Sequence, residues 1–457
     1  MPRKSTPPWG RSRGYIHFDG PLPDGEAEAL VKDEQRVASR AFWPLISFRT
    51  IERRWNKRER KWKKKSRPIA YASHADSHIF SYYSWKLAEP YEALLNAIGL
   101  SPVVLAYRKH ANPSSTKGKG KASFHFAAEA FSAIAIMGEC DAIAMDIERF
   151  FDSIPHDALK ANWSQLLGKT SLPPDHYAVF KAVTKFSCVP LRQVRAALGI
   201  GKRRFEQRRS IRMSSDEFDK LVRQRGVIEV NRKPGGIPQG LPISGLLANL
   251  VMLQVDEAMD KAAKALGGSY RRYSDDVLIM APPGKAAGLE ALCKNMLSKL
   301  QLNVNDAKTG RSAFRQDAAG VLRVDTPLQY LGLEFDGNRV LVRPQTLVKF
   351  GKRMRRAVRQ ASRAAERLMK KGGPARIRRR NLYARFSHLR PHKETPLKRR
   401  PKGSFMRYAM HAANAVENDG KVAHFKEQIR HQLRGQWELL QDLIADAERS
   451  LRDSKKA

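Results

Sequence analysis

Residues 270–280 read YRRYSDDVLIM and contain the most informative feature of the chain, the adjacent carboxylates Asp275 and Asp276. Val277 to Met280 is a short apolar run with β-branched residues, which is typical of a buried strand. A charged pair beside such a strand is costly to bury unless a cation compensates it, and Mg²⁺ prefers hard oxygen ligands. The alternative is a solvated Asp-Asp in a hairpin turn, since Asp is a common turn residue. The stretch therefore predicts a strand that begins with either a metal-binding pair or a polar turn.

A third carboxylate follows another short apolar strand. Ile143 to Met145 leads directly into Asp146, far upstream of Asp275 in the chain. Carboxylates from two neighbouring strands can bridge a pair of metal ions, and in-line displacement at a phosphate uses two ions roughly 3.5–4 Å apart. Because such catalysis depends mainly on positioning and charge neutralisation, Asp146, Asp275 and Asp276 are candidate catalytic residues.

The charge distribution indicates a polyanionic partner. The 457 residues carry 85 Lys and Arg against 45 Asp and Glu, a formal charge of +40. Residues 49–67 hold eleven basic side chains against two acidic ones, and residues 343–407 hold twenty-three against two. Residues 141–157, in contrast, hold five carboxylates and one Arg. An acidic centre between basic flanks favours metal chemistry on a bound nucleic acid; a merely basic, solvated surface is the alternative.

Cysteine use and hydropathy favour a cytoplasmic protein. Cys140, Cys188 and Cys293 have neither metal-ligand spacing nor a disulfide framework, as expected in a reducing compartment. The longest near-apolar run, residues 243–255, is shorter than the ~20 residues that a membrane span needs. Residues 1–35 lack an apolar signal segment, and we expect them to form a basic, poorly ordered N-terminal arm.

Beyond Pro344 the pattern becomes helical. Apolar residues recur every three or four positions from Leu347 to Leu368, and Gly372-Gly373-Pro374 ends that helix. Two further helices are expected near residues 405–417 and 424–451. The other face of the first helix is basic, and we expect it to contact nucleic-acid phosphates or, alternatively, to be solvated. Its candidate nucleic-acid-binding residues are Arg353, Arg356, Arg359 and Arg363.

Several segments resemble, in order, the sequence motifs of reverse transcriptases. Together they run from the basic segments upstream of Asp146 to residue 335. They are Lys65-Ser-Arg67-Pro-Ile and Ala106-Tyr-Arg108-Lys (fingers motifs), Asp146-Ile-Glu-Arg-Phe-Phe-Asp-Ser-Ile (motif A), Gly236-Ile-Pro-Gln-Gly-Leu-Pro-Ile-Ser (motif B), Tyr273-Ser-Asp-Asp (motif C), Leu302-Asn-Val-Asn-Asp-Ala-Lys-Thr (motif D) and Tyr330-Leu-Gly-Leu-Glu-Phe (motif E).

The resemblance implies an α+β protein with the right-hand polymerase fold. Fingers would span residues 36–140. A palm built on an antiparallel sheet with a ferredoxin-like core would span residues 141–342, with an insertion at about 165–225. A basic helical thumb and C-terminal domain would occupy residues 343–457.

The resemblance also implies roles for the matched residues. Asp146, Ile147, Asp275 and Asp276 would bind two Mg²⁺ ions, for which Mn²⁺ could substitute. Phe151 would lie under the sugar of the incoming nucleotide and clash with a ribose 2′-hydroxyl, which predicts deoxynucleotides as substrates; an ordinary core position is the alternative. The other implied nucleotide-binding residues are Gln239, Gly240, Arg67, Arg108 and Lys308. Lys308 would donate a proton to the leaving pyrophosphate; an ordinary turn lysine is the alternative.

The implied function is RNA-directed DNA synthesis. The implied partners are an RNA template, with a dedicated non-coding RNA as one candidate, dNTPs, a DNA product and, as a candidate assembly, a homo-oligomer; no membrane partner is implied. Ser274 stands where retron and group II intron enzymes usually have Ala, and the C-terminal region contains neither Val-Thr-Gly nor a Cys/His cluster. The chain therefore resembles most the defence-associated, abortive-infection enzymes of bacteria, with a role in antiviral defence. Three alternatives remain: an RNA-dependent RNA polymerase, a group II intron-type reverse transcriptase or maturase, and a non-catalytic RNA-binding scaffold with a decayed palm.

Overall fold

The chain folds into a mixed α/β structure whose sheets are largely antiparallel. The structure is a computed structural model that describes residues 7–56, 60–112, 120–201, 211, 213–374, 376–388, 404–417 and 425–456. Within those ranges, no helix has both the length and the hydropathy that crossing a bilayer would demand.

Helices lie before, between and after the strands. A π-helical turn at Asp219–Arg223 and a 3₁₀ turn at Asp306–Lys308 accompany them. The α-helices are α1 (Asp24–Lys32), α2 (Glu34–Ala38), α3 (His74–Ala97), α4 (Ser123–Met137), α5 (Phe150–Ser153), α6 (His156–Leu166), α7 (Pro174–Thr184), α8 (Leu191–Ala197), α9 (Ser215–Phe218), α10 (Ser244–Val251), α11 (Leu253–Ala265), α12 (Ala286–Lys299), α13 (Pro344–Met369), α14 (Arg379–Phe386), α15 (Phe405–Glu417) and α16 (Phe425–Lys456).

The strands form three sheets, with strand orders β2-β1-β4-β5, β6-β7-β3-β8-β9 and β10-β11-β12. The strands are β1 (Leu45–Asn56), β2 (Lys61–Tyr71), β3 (Cys140–Asp146), β4 (Ser187–Pro190), β5 (Glu229–Val230), β6 (Ser269–Tyr273), β7 (Asp276–Ala281), β8 (Gly310–Gln316), β9 (Leu322–Val324), β10 (Leu328–Tyr330), β11 (Leu333–Phe335) and β12 (Val340–Val342).

The five-stranded sheet is antiparallel throughout and positions the candidate site. Its strand β7 is buried on both faces, which explains its almost uninterrupted apolar sequence. Because successive side chains point to opposite faces, Val277 and Ile279 pack into one core with α11 and α12, while Leu278 and Met280 pack into another with α4. An antiparallel sheet backed by helices agrees with the sequence prediction.

The first sheet gathers segments that are far apart in the chain. β1 and β2 form an antiparallel hairpin, and β4 joins β1 in parallel, pairing Leu45 with Cys188. The segment at 165–225, expected as an insertion in the palm, therefore packs with the N-terminal part of the chain. Ile46, Val189 and Val194 share a small core there with Phe218.

Residues 7–35 correct the expectation of a poorly ordered arm. Trp9, Ile16 and Phe18 are buried, and α1 buries Leu30 and Val31 against the main core. These apolar side chains are scattered rather than gathered into a continuous hydrophobic run, so the sequence pattern gave no sign of their burial. The N-terminal segment is therefore part of the folded protein from residue 7 onward, and residues 1–6 lie outside the described ranges.

The C-terminal helices agree with the expected pattern. Helix α13 buries Phe350, Met354, Val358 and Ala365 and packs against α16. It ends at Met369, shortly before Gly372, whose φ of 78° is readily adopted only by glycine. The side chains expected on the opposite face are exposed, namely Arg353, Arg356, Arg359 and Arg363. Most of the dense basic segment after α14, residues 389–403, lies outside the described residues.

Candidate active site

The two strand ends that carry the carboxylates lie side by side. β3 and β7 are antiparallel neighbours, and Asp146 is paired in register with Asp276. Just beyond this pair, the backbone amide of Ile147 donates to the carbonyl oxygen of Asp275 at 2.9 Å. The fold thus brings Asp146, Asp275 and Asp276 together where β3 ends and β7 begins, in the five-stranded sheet.

A tight turn between β6 and β7 presents the two adjacent carboxylates, and a buried ion pair holds it. Ser274 in this turn has a φ of 62°, a conformation that is uncommon for a residue with a side chain. The fully buried Arg272 donates from Nη1 to the Ser274 carbonyl at 3.2 Å and to Asn249 Oδ1 at 3.0 Å. Its Nε and Nη2 bind the two carboxylate oxygens of Asp256 at 2.7 and 2.6 Å. The turn is therefore supported from inside the protein.

The site concentrates negative charge. Burial, reinforced by the neighbouring charges of Asp275 and Asp146, raises the pKa of Asp276 to about 7. Arg343 and Lys308 act in the opposite direction without cancelling the effect. A carboxyl held this far above its ordinary pKa is typical of a functional site.

Replacing Asp276 with asparagine is expected to stabilise the protein when divalent cations are absent. The folded state holds the Asp276 proton more tightly than the unfolded state, whose pKa is near 3.8. The contribution of Asp276 to the free energy of unfolding therefore falls as the pH rises from about 4 to 7. Thermal unfolding in EDTA should show Asp276→Asn melting a few degrees higher than wild type at pH 8, with the difference shrinking towards pH 5. Equal melting temperatures at pH 8 would contradict the crowded-carboxylate interpretation.

Lys308 lies beside the carboxylates. Its Nζ contacts Asp146 Oδ2. The 3₁₀ turn that carries Lys308 is anchored beside β3, because the amide of Asn305 donates to the Asp146 carbonyl at 2.9 Å. The ammonium group of Lys308 therefore faces one of the three carboxylates. Proton transfer from Lys308 to pyrophosphate stays a prediction.

The donor set fits divalent metal ions, although the side chains are not arranged around one. In the part of the chain that the structure describes, no group of three His, Cys, Asp or Glu side chains is placed to hold a metal. The three aspartates nevertheless offer only hard oxygen donors. The pKa of Asp276 is raised by burial and, in addition, by the negative charges of Asp275 and Asp146, and a bound cation would oppose both effects. Lys308 occupies Oδ2 of Asp146, so a metal ion at that oxygen would have to displace the Lys308 ammonium group. Ile147 has a buried apolar side chain, so only its backbone carbonyl could be a ligand.

Gln239 and Gly240 lie against the strand that carries Arg67. The amide of Ala70 donates to the Gln239 carbonyl at 2.9 Å. A Cβ at Gly240, whose φ is 123°, would lie 2.5 Å from the Ala70 carbonyl oxygen, so only glycine allows this approach. Arg67 is exposed and shares a face of β2 with Ile69, which borders Gly240. These three predicted nucleotide-binding residues therefore share one surface.

Phe151 connects the carboxylate strand to the same surface. Its carbonyl accepts from the amide of Ile237 at 2.8 Å, which ties α5 to the segment leading to Gln239. The Phe151 ring is 9% exposed and meets the ring of Tyr107 edge-on, with centroids 6.2 Å apart. Phe151 is thus mostly buried and packs against Tyr107.

Arg108 corrects the expectation that it binds the nucleotide triphosphate. Its side chain is 2% exposed, and its guanidinium binds both carboxylate oxygens of Glu92 at 2.9 and 2.5 Å. Nη1 also donates to the carbonyls of Ser101 and Val104. With its donors engaged inside the protein, Arg108 holds the loop after α3 rather than facing the site.

Sequence reasoning missed the residues that support the catalytic turn. Arg272, Asp256 and Asn249 are fully buried and interconnected. One signal was available, since Arg272 is two residues from Tyr270 and so shares its face of β6, which is buried. The partners on α10 and α11 carry no comparable local signal.

Comparison with known proteins agrees with the family that the motifs resemble. The profile of the family described as "Reverse transcriptase (RNA-dependent DNA polymerase)" matches residues 109–335, just under half of the chain. The retron Mx162 reverse transcriptase of Myxococcus xanthus is 35% identical over 66 residues, a match that covers 14% of this chain and 14% of that protein.

Two solved structures of apo telomerase from Candida tropicalis show a weaker likeness. The form truncated from its C-terminal domain has a TM-score of 0.38 at 11% identity, covering 68% of this chain and 57% of that one. The other has a TM-score of 0.35 at 12% identity, covering 68% and 50%. Scores this low do not establish a common fold.

The family match spans β3, β7 and the turn between β6 and β7, so it includes the paired Asp146 and Asp276 and the adjacent Asp275. Residues 109–335 of this chain are therefore similar to the reverse transcriptase family.

Proposed function

We propose that this protein is an RNA-directed DNA polymerase that joins deoxynucleotides by two-metal nucleotidyl transfer. The observation that carries the proposal is the register pairing of Asp146 with Asp276, with Asp275 adjacent, inside the segment that matches the reverse transcriptase family. Fingers, palm and thumb would correspond to residues 36–140, 141–342 and 343–457, with residues 7–35 added to the fingers.

The chain's own residues would divide the work at the site. Asp146, Asp275 and Asp276 would hold two Mg²⁺ ions, or Mn²⁺ in their place. When bound, the ions activate the attacking 3′-oxygen and stabilise the leaving group. Lys308, released from Asp146, would donate a proton from Nζ to the departing pyrophosphate. Phe151 would exclude a ribose 2′-hydroxyl.

The nucleotide would lie on the surface shared by Gln239, Gly240 and Arg67. The missing side chain at Gly240 lets its backbone lie against Ala70 of β2, and the exposed Arg67 on the same strand can pair with phosphate oxygens. The formal charge of +40 supports a nucleic-acid template and product.

Template-directed incorporation tests the proposal. Purified protein would be given an RNA template, with and without a DNA primer, together with Mg²⁺ and either dNTPs or NTPs. Wild type should extend with dNTPs in preference to NTPs, and Asp275→Asn should not extend. Absence of dNTP incorporation in both formats, or preferential use of NTPs, would exclude RNA-directed DNA synthesis.

The basic face of α13 is expected to contribute phosphate contacts. Changing its four exposed arginines to glutamine should weaken RNA binding and make the plot of log Kd against log salt shallower, by roughly one for each phosphate that is no longer neutralised. The matched control removes the same charge from exposed arginines of α16. The test set is Arg353, Arg356, Arg359 and Arg363, and the control set is Arg430, Arg434, Arg449 and Arg452. Equal losses of affinity and slope in both sets would show only a general charge effect.

A role in bacterial antiviral defence is supported by the features that distinguish the chain from retron and group II intron enzymes, namely Ser274 in motif C and a C-terminal region without Val-Thr-Gly or a Cys/His cluster. Plaque counts on cells carrying wild-type protein or Asp275→Asn test this role. Equal counts would exclude a defence function that depends on polymerisation.

A further inference from the structure

Tyr107 combines backbone strain with exposure. Its φ is 62°, in the left-handed region that a bulky side chain rarely adopts, and its side chain is 55% exposed. Strain of this kind persists where the surroundings impose it and is concentrated at functional sites. An exposed ring held in this way suggests that the ring itself is used.

The ring of Tyr107 touches the three segments that build the candidate site. It faces Phe151 edge-on at a centroid distance of 6.2 Å. It also lies on the first turn of α10, where a Cβ at Gly245 would be 2.5 Å from its Cγ. Its hydroxyl oxygen accepts a hydrogen bond from Ser274 Oγ at 3.2 Å. Tyr107 therefore links α5, which follows β3, with the segment after Gln239 and the turn between β6 and β7.

The backbone around Tyr107 is fixed by the same buried network that holds the turn. Asn249 Nδ2 donates to the carbonyl of Ala106 at 2.8 Å. The amide of Leu105 donates to the Arg272 carbonyl at 2.9 Å, and Arg272 also binds the Ser274 carbonyl. Tyr107 and Ser274 share the same unusual φ, and one set of buried donors holds both. The contact between the two hydroxyl groups is therefore fixed by the fold.

We infer that Tyr107 is a specificity-determining and positioning residue of the polymerase site. Its ring would form, with Phe151, the wall against which the sugar of the incoming deoxynucleotide lies. Its hydroxyl positions the turn that carries Asp275 and Asp276. This inference rests on the proposed function. Because Phe151 is nearly covered whereas Tyr107 is more than half exposed, a sugar approaching the carboxylates meets Tyr107 over the larger area.

Two pairs of variants separate the roles of the ring and the hydroxyl. Tyr107→Ala removes the ring, and Gly245→Ala displaces it by adding a Cβ beneath it. Tyr107→Phe and Ser274→Ala each remove the single hydroxyl contact. Gly288→Ala is the matched control, because Gly288 is an exposed helical glycine of α12 with nothing within 4 Å of an added Cβ.

The measurements are kcat and KM for dNTP and NTP incorporation, with thermal unfolding to verify folding. Tyr107→Ala and Gly245→Ala should raise the KM for dNTP and reduce discrimination against NTPs by about tenfold or more. Tyr107→Phe and Ser274→Ala should keep discrimination and lower kcat by about 2- to 10-fold, as expected for one hydrogen bond. The double variant Tyr107→Phe/Ser274→Ala should be no slower than either single variant, because both remove the same hydrogen bond.

The outcomes distinguish this inference from the proposed function. If wild type incorporates dNTPs and folded Tyr107→Ala keeps the wild-type KM and discrimination, Tyr107 does not form the wall against the sugar. The proposed polymerase activity is then still supported. If Tyr107→Phe and Ser274→Ala slow the reaction additively, the hydroxyl contact does not position the turn. If wild type incorporates no nucleotide, both fail together.

Discussion

Replacing Asp146 with asparagine is expected to lower the rate of dNTP incorporation by about 10³-fold, the cost of losing one preorganised electrostatic group at a reacting centre. Asp146 is the last residue of β3 and is paired with Asp276 across the two strands. The substitution therefore removes the negative charge that β3 contributes to the site. The variant should fold normally, since asparagine keeps the shape and relieves repulsion. Single-turnover primer extension measures the effect.

Asp141→Asn is the matched control for this experiment. Asp141 lies at the other end of β3, where it pairs with Arg315 at 2.7 Å and accepts from the amide of Gly284. Removing its charge should leave the incorporation rate within a few fold of wild type. A comparable loss of incorporation rate in both variants would mean that the effect of Asp146→Asn is structural. Full activity of Asp146→Asn would show that Asp146 is not a catalytic residue.

Replacing Arg272 with methionine is expected to destabilise the fold by about 3–5 kcal/mol, the usual cost of leaving one partner of a buried ion pair uncompensated. Arg272 and Asp256 are both fully buried, and Tyr270 adds a hydrogen bond to the same carboxylate at 3.0 Å. The loss also frees the Ser274 carbonyl, so catalysis should fall together with stability. Urea unfolding followed by circular dichroism measures the change in the free energy of unfolding.

The double variant Arg272→Met/Asp256→Leu separates charge burial from other effects. Replacing both partners by apolar side chains removes the uncompensated carboxylate, so stability should recover substantially relative to Arg272→Met. A double variant as unstable as the single one would assign the destabilisation to packing or to the hydrogen bonds with Asn249 and Ser274 instead.

Short-range sequence patterns were sufficient for the elements that define the site. The apolar runs before Asp146 and after Asp276 predicted two buried strands, because a continuous apolar run is characteristic of strands covered on both faces. The three- and four-residue spacing in α13 predicted both its buried face and its exposed arginines. The turn interpretation of Asp275 and Asp276 also survives in part, since Asp275 lies in the tight turn between β6 and β7 and Asp276 begins β7.

Features that depend on distant partners could not be read from the sequence. Arg108 resembled a substrate-binding basic residue, but Glu92, on the preceding helix, engages it. The burial of Trp9, Ile16 and Phe18 depends on surfaces supplied by α3 and by the segment around Phe218. Tyr107 stood inside a recognised motif, yet its role emerges only from interactions with Gly245 and Ser274 that are made by folding.

The most direct test of RNA-directed DNA synthesis is to sequence the nucleic acids that co-purify with wild-type protein and with Asp275→Ala/Asp276→Ala. We expect RNA on both proteins, and DNA complementary to that RNA on the wild type alone. Equal amounts of such DNA on both proteins, or none on either, would contradict the assignment of polymerisation to the carboxylates at the ends of β3 and β7.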